Sequence, residues 1–186
     1  MSLRAKVDRA RIELFLTRLG ERFHRPGRIY LVGGTTLVFE ELRQQTLDID
    51  LVIEVDLKYH GELIQVVRKL KDELSINVEE ASPGDFIPLP SGFENRHEFV
   101  KRYGKIDVMY FDLYSTALSK IERGREQDFE DVLTLLQAGR LEWDKLSAYF
   151  AEILPRMGEQ SLKQDPVEFE KNFRALEVRW HSSSDL

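Results

Sequence analysis

Two carboxylates stand one residue apart in an apolar stretch, Leu47-Asp48-Ile49-Asp50-Leu51-Val52-Ile53-Glu54-Val55. The stretch alternates with period two, the signature of a strand. Asp48 and Asp50 therefore point the same way, about 6.5–7 Å apart along the chain. Aspartate is disfavoured in strands, and two on one face repel each other unless a cation lies between them. A pair at this separation suits Mg2+ (or Mn2+), which takes oxygen ligands. Ions so held can activate a hydroxyl and neutralise a departing pyrophosphate. The plain alternative is the solvated face of an edge strand. Upstream, Gly33-Gly34 closes a short apolar run and opens a helical pattern. Glycine lets backbone approach a ligand closely, and a helix N-terminus offers free N–H groups to a phosphate. A tight turn is the plain alternative here. No third glycine completes a dinucleotide fingerprint, and no P-loop lysine follows.

The elements that must position these residues are legible in part. Apolar spacing predicts a helix over Leu3–Phe23, broken by Pro26-Gly27. Arg28–Val32 reads as a strand, Thr35–Arg43 as a helix and Leu47–Val55 as a strand. Leu57–Leu74 reads as a helix with Asp56 as its cap, and Ser75–Glu80 as a short strand. Pro83-Gly84, Pro88, Pro90 and Gly92 mark Ala81–Phe93 as a loop, and Lys105–Asp112 alternates as another strand. Side-chain alternation puts Asp107 and Asp112 on opposite faces of it. From Ser115 the pattern is helical, with a turn at Gly139 and a helix over Asp144–Ile153. Asp165-Pro166 opens a last helix to about Trp180, and 181–186 read as a frayed tail.

Composition narrows the chemistry. The 186 residues contain no cysteine, which excludes disulfides, thiolate metal sites and cysteine nucleophiles. The four histidines, at 24, 60, 97 and 181, have no ligand spacing. With 27 basic and 33 acidic side chains the net charge is −6, which argues against coating nucleic acid or an anionic membrane by bulk charge. His97, Lys101, Arg102 and Lys105 form the densest basic cluster, either a solvated turn or a meeting point for RNA phosphates. Phe93, Phe99, Tyr103, Tyr110 and Phe111 could stack a base, although Phe111 reads more simply as core. No apolar run is long enough to span a bilayer, and no signal-peptide pattern is present, so the cytoplasm is the expected location.

Gly33-Gly34, a helix, then Asp48-Ile49-Asp50 in an apolar strand resembles the signature of the nucleotidyltransferase superfamily typified by DNA polymerase beta. Arg43 and Thr46 ahead of the aspartates are similar to the versions in nucleotidyl-transferring toxins of toxin–antitoxin systems. Ser119–Asp131 resembles the Lys…Arg…Arg-x-x-Asp-x-x-Asp segment of that branch. An uncharacterised nucleotidyltransferase-like family of bacteria and archaea also shares Pro88-Leu89-Pro90-Ser91-Gly92-Phe93-Glu94-Asn95-Arg96.

The resemblance implies an α/β fold: a small mixed sheet flanked by helices over residues 1–114, with a helical C-terminal region over 115–180. It implies transfer of a nucleoside monophosphate from an NTP to a hydroxyl. Asp48, Asp50 and Asp107 would be the metal-holding carboxylates, with Asp112 as the competitor for third place. Gly33, Gly34 and Thr35 would cradle phosphates, Lys120 would neutralise them and Asp128 would support the site. Asp131 is expected on the helix surface or as a cap, and an ion-paired helix face is the plain alternative for the whole segment. The acceptor stays open among a tRNA end, a protein hydroxyl and a small molecule. A protein partner or a second copy of the chain also stays open, as does a non-catalytic interaction protein on the same fold.

Overall fold

In the computed structural model, residues 6–159 and 164–184 are described. They divide into two units. The first takes the described residues of Met1–Ser82 together with His97–Phe111, and the second takes Pro83–Arg96 together with the described residues of Asp112–Leu186.

The first unit is built on a five-stranded mixed sheet. Its strands are β1 (Gly27–Leu31), β2 (Asp48–Val55), β3 (Asn77–Glu80), β4 (Glu98–Tyr103) and β5 (Ile106–Tyr110), in the order β3-β2-β1-β5-β4. β1 pairs antiparallel with β2 and parallel with β5. β2 pairs parallel with β3, and β4 antiparallel with β5, with a bulge between Phe99 and Lys101. Ile29, Leu31, Ile49, Leu51, Ile106 and Val108 from one sheet face join the hydrophobic core. Two amphipathic helices complete that core. Helix α1 (Arg9–Arg22) contributes Ile12, Phe15, Leu16 and Leu19, and α3 (Leu57–Glu73) contributes Leu63, Val67 and Leu70. Between β1 and β2 lies the short helix α2 (Gly33–Phe39).

Caps fix the helix starts. The Asp8 carboxylate accepts from Arg11 N at 2.9 Å, and that of Asp56 from Lys58 N at 3.1 Å. Helix α1 therefore begins at Arg9 rather than Leu3. Val7 instead forms an antiparallel bridge with Thr46, exchanging backbone hydrogen bonds of 2.8 and 2.9 Å; residues 1–5 lie outside the described residues. Helix α2 stops at Phe39, short of the predicted Arg43, and Glu41 beyond it has φ of 62°. Strand β4 is not foreseen by the sequence reading.

The second unit holds α4 (Leu113–Arg123), α5 (Glu126–Gln137), α6 (Trp143–Ile153) and α7 (Pro166–Ser184). The Asp165 carboxylate accepts from Val167 N and Glu168 N, as the Asp165-Pro166 pair predicts. Phe150 stacks on Phe173 at 3.9 Å between ring centroids, and Trp143 stacks on Phe173 at 5.3 Å. Helix α7 continues through Ser184, so residues 181–184 are helical and not a frayed tail; 185–186 lie outside the described residues.

The Pro88–Arg96 loop belongs with these helices. Arg96 donates from Nε and Nη2 to the Asp112 carboxylate, both at 2.9 Å, and from Nη1 to the Ser91 carbonyl at 2.9 Å. Its guanidinium lies 4.3 Å from the Tyr149 ring centroid. Ser91 N and Oγ donate to Glu152 at 2.7 and 3.1 Å. That proline loop, which has no chemistry readable from its residue types, is tied to the cap of α4 and to α6. No helix among the described residues is long and apolar enough to cross a membrane.

Candidate functional site

Ile49 and Leu51 are fully buried in the core, so Asp48 and Asp50 share the opposite face of β2, both half-buried. Their backbone is held from the β1 side. Val32 N donates to Asp50 O at 3.2 Å, and Asp50 N donates to Thr35 Oγ1 at 2.8 Å. The Thr35 hydroxyl in turn donates to Asp48 O at 3.4 Å. The glycine pair gives these groups room. Gly33 has φ of +59°, and a Cβ there would lie 2.8 Å from Asp50 Oδ2. A Cβ on Gly34 would lie 2.7 Å from Thr46 Oγ1 and 3.2 Å from Arg43 Nη1. The close approach expected of a ligand is thus made by the chain's own carboxylate, hydroxyl and guanidinium. Thr35 is fully buried and its hydroxyl is engaged by β2, so it is not the phosphate-facing group the sequence reading expected.

The neighbouring strand brings a residue that sequence reasoning missed. β3 registers Asn77 with Asp48 and Glu79 with Asp50. Asn77 Nδ2 donates to Asp48 Oδ1 and to Glu79 Oε1, at 2.7 Å each. Val78 between them is buried, so Asn77 and Glu79 share the face of the aspartate pair. The signal lay in the alternation about Val78, but only strand order reveals which carboxylates it brings together.

The expected third carboxylate is not brought to the pair. Asp107 registers with Arg28, which registers with Glu54 near the far end of β2. Glu54 lies four positions along β2 from Asp50, about 13 Å of strand. Arg102 Nε and Nη2 grip the Asp107 carboxylate at 2.6 and 3.0 Å. That hydrogen bonding first, then the charges of Arg102 and Arg28, outweighs partial burial and holds Asp107 below the usual aspartate range. A concavity of about 810 Å³ lies at this end, lined in part by Arg28, Glu54, Arg102, Lys105 and Asp107, remote from Asp48 and Asp50. The competitor is committed elsewhere. Asp112 is fully buried, carries the Arg96 fork and caps α4 through Tyr114 N, Ser115 N and the Ser115 hydroxyl.

Lys120 is also committed. It is 2% exposed, and its ammonium donates to Asp131 Oδ2 at 2.6 Å and to Asp128 Oδ1 at 3.4 Å. Arg123 Nη2 donates to the same Asp128 oxygen at 2.5 Å, and Gln127 Nε2 to Asp131 Oδ1 at 3.1 Å. Asp131, expected on the surface, is 2% exposed and is the nearer partner of Lys120. The α4–α5 turn makes the difference. It folds the Asp128–Asp131 face onto Lys120, which neutralises carboxylates where phosphates were expected.

Within the basic cluster, Lys101 pairs with Glu13 at 3.7 Å and Arg102 with Asp107. Phe111 is 4% exposed and packs with Tyr30 and His97, the His97 ring centroid lying 4.6 Å from each; Phe99 is 61% exposed. The Tyr30 hydroxyl donates to Glu54, and burial, then this bond, pushes it above the ordinary tyrosine range.

The donor set around β2 is all oxygen (Asp48, Asp50, Glu79 and the Asn77 amide), which fits a hard divalent cation in chemistry. Among the described residues, no three carboxylate or imidazole groups converge closely enough to hold an ion as they stand. Asp48 and Asp50 on one strand face are the residues that could hold such a cation, and Asp107 lies away from them along the sheet.

A mixed sheet flanked by helices, its Asp-x-Asp strand entered from a glycine turn and followed by a helical C-terminal region, is an α/β fold of nucleotidyltransferase-like type. The chain belongs to the family described as nucleotidyltransferase of unknown function (DUF6036), whose model matches residues 11–182. No curated protein and no solved structure matches it.

Proposed function

We propose that this chain is a Mg2+- or Mn2+-dependent nucleotidyltransferase that moves a nucleoside monophosphate from an NTP to a hydroxyl acceptor. The acceptor oxygen bonds to the α-phosphorus, the bond from that phosphorus to pyrophosphate breaks, and the hydroxyl proton is released. Asp48 and Asp50 hold the metal, with Glu79 on β3 as the third carboxylate of the same face. Bound there, the metal offsets phosphate charge and makes the acceptor hydroxyl easier to deprotonate. Gly33 and Gly34, the expected phosphate cradle, keep the turn open enough for the Asp50 carboxylate to lie beside it. The acceptor is an RNA end, a protein or a small molecule, and the toxin-like resemblance makes a toxin–antitoxin component the cellular reading. One observation carries the proposal: two carboxylates share a strand face with Asp50 set against the Gly33 turn.

A second reading keeps the fold without transfer, as an interaction protein or antitoxin partner. It draws on Asp107 and Asp112 being gripped by arginines and on the burial of Lys120. Thermal stability with Mg2+ or Mn2+ and each of ATP, CTP, GTP and UTP separates the two. A ligand that binds the folded chain raises its melting temperature by mass action. The transfer reading expects a metal-dependent shift with at least one NTP, lost in Asp50→Asn. No shift with any NTP at millimolar concentration defeats it. An Asp50→Asn variant that shifts like wild type places the nucleotide elsewhere.

A further inference from the structure

We infer that Thr35 is a positioning residue that sets the two metal-holding carboxylates of β2. This rests on the reading of Asp48 and Asp50 as metal ligands. β1 pairs with β2 only as far as Leu31 opposite Leu51. One residue later the chain turns at Gly33 into α2, so β2 runs on past its partner strand. Past Leu51 the Val32 N–H still reaches Asp50 O at 3.2 Å, while the Asp50 N–H and the Asp48 C=O face the side that β1 has left. Buried main-chain groups of this kind need partners. The Thr35 hydroxyl supplies both, accepting from Asp50 N at 2.8 Å and donating to Asp48 O at 3.4 Å. A single fully buried side chain thereby stands in for the missing strand residue. With β3 paired along the other edge of β2, it holds the β1-side edge of the Asp48–Asp50 segment, and only an extended segment presents residues i and i+2 on one face.

The next residue provides an internal contrast. Thr36 is equally buried on the same helix, but its hydroxyl has no hydrogen-bond partner among the described residues. Replacing either threonine by valine keeps shape and removes only the hydroxyl. The two substitutions should therefore differ although they are chemically identical and adjacent.

The test is Mn2+ binding to the full chain, followed by electron paramagnetic resonance of the free ion, with no nucleotide present. Removing a partner that orients a metal ligand typically weakens metal affinity by about 10–100-fold. Thr35→Val should show a loss of that size, while Thr35→Ser, which keeps the hydroxyl, and Thr36→Val should bind as the wild type does. Hydrogen exchange gives a readout independent of metal: the Asp50 amide should exchange faster in Thr35→Val and not in Thr36→Val. If Thr35→Val does not fold, Thr35→Ala takes its place in both measurements. Wild-type affinity in Thr35→Val overturns the inference, as does an equal loss in Thr35→Val and Thr36→Val. Unchanged Asp50 protection in Thr35→Val overturns it whether or not metal binds. A wild type that ignores Mn2+ but whose Asp50 amide responds to Thr35→Val refutes the metal reading, and with it the role given to Thr35.

Discussion

Lys120→Met asks whether the buried lysine is a structural ion or a nucleotide contact. Lys120, Asp128 and Asp131 have side chains 3–5% exposed, and Arg123 beside them is 32% exposed. Two cations and two carboxylates therefore balance inside the α4–α5 pair. Methionine preserves most of the volume and removes one charge, leaving Asp128 with Arg123, and Asp131 with the Gln127 amide. Breaking a buried ion pair from one side costs about 3–5 kcal/mol, because the surviving charge stays desolvated. For a chain of this length that is roughly 6–20 °C in melting temperature. Urea titration and calorimetry measure it directly. The double variant Lys120→Met/Asp131→Asn should recover part of the loss, since Arg123 then balances Asp128 and no charge is stranded. A Lys120→Met stability within about 0.5 kcal/mol of wild type, the range of an ordinary surface change, refutes the structural assignment. Failure of the double variant to recover refutes the charge-balance argument.

Three further outcomes concern Asp107 and Glu122. Asp107→Asn should leave metal-dependent NTP stabilisation intact, because Asp107 lies at the far end of the sheet from Asp50; loss of the shift restores it to the site. Its carboxyl is held low, so the pair with Arg102 stabilises above the unfolded aspartate value and fades as pH falls through the lower folded one. The melting difference between wild type and Asp107→Asn should therefore close in acid. Burial raises the Glu122 carboxyl against the opposing charge of Arg123, so the fold carries a penalty once Glu122 ionises. Glu122→Gln should raise the melting temperature at pH 7–8 and have little effect near pH 3, where the carboxyl is protonated folded or unfolded; a pH-independent difference contradicts this.

The Asp48–Asp50 strand and its face were legible because alternation is local. Asp107 shows where locality ends. Its flanking Ile106 and Val108 place it correctly on the polar face, but the pairing of β5 with β1 fixes its position along the sheet, and nothing in Lys105–Asp112 encodes that register. Glu79 is the converse: a carboxylate in a four-residue strand whose importance appears only when β3 lies beside β2. β4 escaped notice because Glu98, Phe99, Lys101 and Arg102 are exposed on both faces, so an edge strand showed little of the expected alternation. Lys120 and Asp131 lie on different helices, and helical spacing within one helix could not bring them together. Thr35 shows the same limit, since a hydroxyl near a glycine turn serves a ligand and a neighbouring strand equally well on paper.

The bulge between Phe99 and Lys101 bears on how the sheet meets other molecules in concentrated solution. An open sheet has two outer strands whose spare N–H and C=O groups can template a neighbour's chain. β3 limits that risk by being only four residues long and by carrying Glu79 and Glu80. β4 is longer and shows an exposed Phe99, the profile of a self-association hazard, but the bulge at Val100 throws its hydrogen-bonding groups out of step. Lys101 and Arg102 add charge along the same rim. A variant lacking Val100 would present a straight, regularly spaced edge, and turbidity on concentration should then rise where the parent chain stays clear.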